Sequence, residues 1–200
     1  MGSIKRLNYN LFMYPFERIL LGSIRRNLIK KTRGHSLEIG FGTGVNLKYY
    51  DFGSIDSLVL LEQDMSKGIG IETNSKTTVM EGDVLELPFD DKTFDTIVFT
   101  LVFCSVDDPS MGLVEIRRVL KDDGNLIFIE HVTPRGETMR KLVDKFNKTW
   151  NSMSKGCNLN RDTVSTIINA GFIIDESHFS RKGVFVSGMA KKEGPGLQNI

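Results

Sequence analysis

From Ser36 to Asn46 the chain reads Ser-Leu-Glu-Ile-Gly-Phe-Gly-Thr-Gly-Val-Asn, an apolar strand pattern running straight into three alternating glycines. Glycine adopts backbone angles closed to other residues and lets a ligand approach the main chain. The segment predicts a strand, a tight ligand-facing turn at Gly40, Gly42 and Gly44, and then a helix. A strand that ends in such a turn is a feature of open α/β sheets, where ligands bind at strand tips. The dinucleotide fingerprint G-x-G-x-x-G is not met, because position 45 is Val. That spacing argues against a nicotinamide-dependent oxidoreductase.

The rest of the chain agrees with an α/β sheet. Short apolar runs at 36–39, 57–62, 77–81, 94–101 and 125–132 read as strands, several of them apolar on both faces as in a buried parallel sheet. Helical spacing appears over Pro109–Leu120, with Met111, Val114, Ile116 and Leu120 on one side, and over Leu159–Ala170, with Val164, Ile167 and Ile168. Residues 172–179 and 183–190 read as a terminal strand pair. The alternation predicts a doubly wound α/β sheet with right-handed crossovers. Ahead of it, residues 11–31 carry Phe12, Phe16, Ile19, Leu20, Ile24 and Leu28 at helical spacing, with Arg18, Arg25, Arg26, Lys30 and Lys31 as a basic side. The expected organisation is an N-terminal helical lid at 1–34, one domain at 35–190 and a disordered tail at 191–200.

Charge and cysteine usage remove several functions. Lys and Arg total 26 against 25 Asp and Glu, so the basic excess of a nucleic-acid-binding chain is missing. The longest apolar run, Ile97–Cys104, is too short to span a bilayer. With no signal-peptide pattern, a cytoplasmic location is expected. Cys104 and Cys157 imply no disulfide framework, no Cys/His cluster shows zinc-ligand spacing, and no metal is expected.

Two further elements complete a ligand site. Glu62, 22 residues past Gly40 and followed by Gln63, ends the second strand pattern. A carboxylate there can accept from both hydroxyls of a ribose. Asp83 follows the third strand and can accept from an exocyclic amine, with Val84 and Leu85 walling a flat ring; equally, Asp83 can cap a short turn at 84–87. Together the three elements suit an adenosine.

This set resembles the class I S-adenosylmethionine-dependent methyltransferases over roughly residues 9–190. The resemblance rests on E-x-G-x-G-x-G at 38–44, Glu62, G-D-V-x-x-L-P-F at 82–89, Phe94-Asp95, and R-x-V-L-K-x-x-G at 117–124. It implies a Rossmann-like, mostly parallel seven-stranded sheet with an antiparallel C-terminal hairpin. It also implies S-adenosylmethionine as cofactor, leaving as S-adenosylhomocysteine. Glu38 and the glycines would border the methionyl part, with Phe41, Thr43, Asn46 and the fourth-strand residue Thr100 beside them. Glu62 and Gln63 would hold the ribose, and Asp83, Val84 and Leu85 the adenine. The stretch from Asp64 to Gly82 is short for the family, so the second crossover helix must be stunted.

Downstream, residues 99–106, Phe128–Val132, and Trp150 with Gly156–Arg161 are similar to thiol S-methyltransferases and to bacterial quinone C-methyltransferases and phosphatidylethanolamine N-methyltransferases. That similarity implies a small lipophilic acceptor, a thiol first, then a quinol or a phospholipid headgroup. A non-catalytic cofactor-binding module is the alternative of another class. His131, at the tip of the fifth strand, is the candidate proton acceptor. Cys104, Trp150 and, from the lid, Tyr14 are candidate acceptor contacts. A peripheral membrane contact through the basic N-terminal helix is the alternative to the lid. Oligomeric state is left open.

Overall fold

The computed structural model describes residues 21–194 except 69, 135, 154 and 155. The chain begins there with α1 (Gly22–Ile29) and continues through β1 (Gly34–Ile39), β2 (Ile55–Glu62), β3 (Thr77–Glu81), β4 (Phe94–Thr100) and α2 (Pro109–Val119). It ends with β5 (Leu120–His131), α3 (Glu137–Met153), α4 (Thr163–Asn169), β6 (Phe172–Ile174), β7 (Ser180–Lys182) and β8 (Phe185–Lys192).

The strands form one sheet in the order β3-β2-β1-β4-β5-β8-β6, with β7 also paired to β8. The first five are mutually parallel, and β8 runs antiparallel to β5. Strand order reverses at β1 and β4, so the crevice for a ligand lies beyond their C-terminal ends. The expected seven-stranded sheet is observed with its last strand broken. β6 pairs with the far end of β8 and β7 with its start, because Asp175–Phe179 turns away between them. β8 continues to Lys192, two residues into the segment expected to be tail.

Side-chain alternation splits the core into two layers. Leu37, Ile97, Phe99, Leu126 and Phe128 pack on one face with α2 residues Leu113, Ile116 and Val119. Leu58, Leu60, Val98, Ile127 and Ile129 pack on the other beneath Leu21, Leu28 and Ile29 at α1. Asp108 starts α2 by accepting the Ser110 and Met111 N–H groups at 3.0 Å, with Pro109 as first helical residue. That start sets the helix phase one residue from the expected stripe. The buried face is Gly112, Leu113, Ile116 and Val119, while Met111 and Val114 are exposed. Gly112 lies against Phe103 and Val84, where an added Cβ would approach the Phe103 ring to 3.2 Å. A glycine contact is invisible to a search for apolar periodicity.

The first crossover is shorter than predicted, and the second is stunted as expected. The helix expected after Gly44 is a single 3-10 turn, Leu47–Tyr49, and Met65–Gly68 is another. Only 15 residues separate Ile39 from Ile55, and buried Asn46 and Tyr50 in that stretch are tied to Glu38 instead of forming a helix face. Among the described residues no helix is long and apolar enough to cross a membrane.

Candidate functional site

The tips of β1 to β3 bring the glycine turn and the acidic residues together. Gly40, Gly42 and Gly44 have φ of 65°, 55° and 74°, in the region that favours glycine. Their surroundings separate their roles. A Cβ on Gly40 would come within 2.5 Å of Val102 Cγ2, and one on Gly44 within 3.0 Å of Leu47 Cδ1. Gly42 has only the Gly40 carbonyl oxygen, at 4.0 Å, so its main chain faces open space.

Glu62 sits directly behind this opening. Its Oε2 accepts the Gly42 N–H at 3.0 Å, and its Oε1 accepts the Asp64 N–H at 3.2 Å. The next residue, Gln63, donates from Nε2 to Asp83 Oδ2 at 2.9 Å, while Asp83 Oδ1 accepts the Leu85 N–H at 2.9 Å. Asp83 thus caps the turn at 84–87 and still presents its carboxylate beside Gln63. Thr43 is exposed and Leu85 half-buried.

Two expected cofactor contacts face the core instead. Phe41 is buried in the layer beneath α1, and Val84 packs in the opposite layer with Phe103 and Leu113. Apolar side chains flanking a polar turn take the nearest apolar layer, which removes their surface from water.

Glu38, Asn46 and Thr100 form a buried polar hub behind the turn. Glu38 Oε1 accepts from Asn46 Nδ2 at 2.7 Å and Oε2 from the Tyr50 hydroxyl at 2.7 Å. Asn46 Nδ2 also reaches Thr100 Oγ1 at 3.1 Å. Arg25, from α1, donates Nη1 to Asn46 Oδ1 and, at 3.1 Å, to Thr100 Oγ1. Arg25 is only 2% exposed, so it does not belong to the basic solvated side expected of the N-terminal helix. Arg25 and Tyr50 were not legible as site residues; one basic residue among the five of the segment 11–31 carries no local mark of burial.

Burial pushes the Glu38 carboxyl up to about 7, against the pull of Tyr50, Asn46 and Arg25 in the other direction. A carboxyl raised on folding holds its proton longer in the native state. Stability should therefore fall as pH rises from about 4.5 to about 7, by on the order of 3 kcal/mol for this group. Asp175, held down to about 2 by Ser177 and His178, titrates below that window. Glu130, also buried, is likewise pushed up to about 7 and adds to the drop over the same window. Urea unfolding at pH 5 and pH 8 should show the combined drop, and Glu38→Gln should remove about half of it; an unchanged slope in the variant would assign the drop to Glu130.

Beyond β4 the chain turns sharply at Leu101, which has φ of 57° and donates its N–H to Ile129 O at 2.8 Å. This aims the Val102 and Phe103 N–H groups at Glu130 Oε1, at 2.8 and 3.0 Å. The turn carries Cys104 toward His131 and Cys157. The three side chains are buried, and their sulfur and ring-nitrogen atoms all lie within 4.8 Å of one another. No local spacing announced this group. Cys157 and burial push the Cys104 thiol well up, so it is not activated as a nucleophile. His131 packs its ring 4.7 Å from that of Phe185. Trp150 lies in α3, but its side chain is outside the described residues, as is Tyr14. Phe146, at helical spacing from Trp150, is exposed.

The residues at these tips fit the cofactor that the resemblance implies. A main chain open at Gly42, a carboxylate directly behind it and a polar pair at the next tip match a ribose flanked by a zwitterionic chain and a flat base. Comparison with known proteins agrees. A methyltransferase domain family matches residues 37–128. Thiol S-methyltransferase TMT1B of Homo sapiens is 35% identical over 145 residues, covering 68% of this chain and 59% of that protein. The ubiquinone/menaquinone biosynthesis C-methyltransferase UbiE of Shewanella frigidimarina is 32% identical over 92 residues, covering 46% of this chain and 36% of that one. This chain spans about three fifths of the length of the TMT1B thiol S-methyltransferases it matches. In fold, it superposes on an S-adenosylmethionine-dependent methyltransferase from Mesorhizobium loti with a TM-score of 0.67 at 15% identity, over 85% of this chain and 96% of that one. The strand order, the glycine turn backed by Glu62 and these matches agree on one assignment: the chain belongs to the class I S-adenosylmethionine-dependent methyltransferases.

Proposed function

We propose that the protein transfers a methyl group from S-adenosylmethionine to a small lipophilic thiol. The observation that carries this reading is Glu62, a carboxylate at the tip of β2 directly behind the open Gly42 main chain. In this reading Glu62 accepts from the ribose hydroxyls, with Gln63 beside it. Asp83 and Leu85 frame the adenine edge and face, and Gly42 lets the methionyl chain lie against the backbone. Glu38, Asn46 and Thr100 act from behind, holding the turn in shape.

The cofactor supplies an activated methyl on a sulfonium. The protein's task is then to align the acceptor and keep water out. The acceptor sulfur takes the methyl as the sulfonium carbon–sulfur bond breaks, and the thiol proton leaves to solvent or to a nearby base. A thiol is partly ionised at neutral pH and leans little on a general base; a quinol carbon leans more. His131, at the tip of β5, is the residue proposed to stand nearest the acceptor. The likeness to thiol S-methyltransferases favours sulfur over a quinol or phospholipid headgroup. β4 continues into Leu101-Val102-Phe103, without the Asn/Asp-Pro-Pro-aromatic run used on nucleobase or glutamine nitrogen.

The test is methyl transfer from labelled S-adenosylmethionine to an alkyl thiol, hydrogen sulfide, a quinol and phosphatidylethanolamine vesicles. Turnover confined to the thiols is expected. Turnover of quinol or lipid alone would overturn the acceptor assignment. Cofactor binding without turnover on any of the four would favour a binding module.

A further inference from the structure

Three separate segments meet at the end of the sheet. Cys104 lies on the turn after β4, His131 closes β5 and Cys157 lies between α3 and α4. They are 27 and 26 residues apart, and only 2%, 4% and 6% exposed. Two sulfurs and one ring nitrogen within 4.8 Å of one another are the donor set of a soft or borderline cation. We propose that Cys104, His131 and Cys157 form a three-ligand binding site for a zinc ion.

The distances suit zinc. Cys157 Sγ lies 3.8 Å from His131 Nδ1. With zinc–sulfur and zinc–nitrogen bonds of about 2.3 and about 2.05 Å, that separation subtends about 120° at the metal. The angle is close to trigonal and about 10° wider than tetrahedral, so these two donors can reach one ion with little shift of the backbone.

The segments are also held in place from outside the donor set. Asn158 donates its N–H and its Nδ2 to the Cys104 carbonyl at 2.8 and 3.3 Å. Thr163 Oγ1 donates to the His131 carbonyl at 3.4 Å. Arg161 Nη1 bridges the carbonyls of Phe103 and Val106. The residues flanking Cys157 are thus tied to the strand tips that carry the other two donors. Such outer bonds orient metal ligands and raise affinity. The carboxylate next in sequence to His131 is also short of donors. Glu130, beside His131 and fully buried, has its Oε2 without a hydrogen-bond partner among the described residues. A buried carboxylate oxygen with no donor is costly, and a nearby cation offsets that cost.

Two sulfurs and an imidazole disfavour magnesium and calcium, which take oxygen. Three protein ligands leave a fourth position for water or another small ligand, as in reactive rather than purely structural zinc sites. The site flanks the glycine turn, because Val102 on the same loop packs against Gly40. The site shares His131 and Cys104 with the proposed acceptor side, and a zinc-bound His131 nitrogen would not take a proton, but ion binding is measured without methyl transfer and so is tested separately from that reading.

The test uses the full chain, reduced and stripped by a chelator, titrated anaerobically with Co²⁺ and then Zn²⁺. One equivalent of Co²⁺ should bind with thiolate-to-cobalt charge-transfer absorption, and Zn²⁺ should displace it. Cys104→Ser and Cys157→Ser should each weaken binding by at least about 100-fold while keeping the wild-type circular dichroism. His131→Gln provides a third arm, with the cysteines intact. The proposal is overturned if the folded, reduced protein shows no charge-transfer band, or if the serine variants bind cobalt as the parent does. Isolation of the chain with Cys104 and Cys157 joined as a disulfide that resists reduction in the folded state would overturn it as well.

Discussion

Replacing Glu62 by alanine should raise the dissociation constant for S-adenosylmethionine about 100-fold, or about 2.7 kcal/mol. Two terms add. A carboxylate accepting from two hydroxyls makes charge-assisted bonds, each stronger than a neutral one. The same carboxylate holds the Gly42 and Asp64 N–H groups, so its loss also loosens the turn that must receive the methionyl chain. Glu62→Gln keeps an acceptor for one N–H but gives up the charge, and should fall between the two, near a 10-fold loss. Calorimetric titration with S-adenosylmethionine and S-adenosylhomocysteine measures both variants. Equal affinity for parent and Glu62→Ala would remove Glu62 from the cofactor site and with it the observation that carries the proposed function.

Arg25→Ala should destabilise the fold by about 3–5 kcal/mol near pH 8, the range for removing one partner of a buried charged group. Arg25 reaches Asn46 and Thr100, which surround the Glu38 carboxylate. Its charge is one of the influences that hold the Glu38 carboxyl down against burial. Without it the carboxylate form of Glu38 becomes costlier still. At pH 5 Glu38 is protonated in the native state, so the missing charge matters less there. The loss measured by urea unfolding should therefore grow as pH rises through about 7. A loss equal at pH 5 and pH 8 would mean that Arg25 acts through packing alone. Arg25→Ala should also weaken cofactor binding modestly, since the hub supports the turn without lying on its open side.

The strands were legible because burial on two faces leaves continuous apolar runs: β1, β2 and β3 contain the segments read as strands, and β4 and β5 end one residue short of theirs, at Thr100 and His131. The crossover after Gly44 was not. A glycine-rich turn in this fold class suggests a helix, but the polar residues that follow serve a buried carboxylate, and a 3-10 turn is what remains. The face of α2 was misplaced for a related reason. Gly112 makes a close contact by having no side chain, whereas periodicity counts only side chains that are present.

What the sequence determined by itself is whatever depends on neighbours along the chain. The strand pattern, the positive-φ turn at Gly40, Gly42 and Gly44, and the acid that ends β2 are of this kind, because covalent geometry and alternation at period two act over a few residues. What only the tertiary structure decided involves residues far apart in sequence. Arg25 is buried because α1 lies over the sheet face that carries Glu38. Cys104, His131 and Cys157 meet because β4 and β5 are adjacent parallel strands that end at the same edge, and the chain after α3 returns to that edge. Local pattern carries no record of such encounters, since chain crossing and side-chain packing bring together groups whose separation in sequence sets no distance between them in the fold.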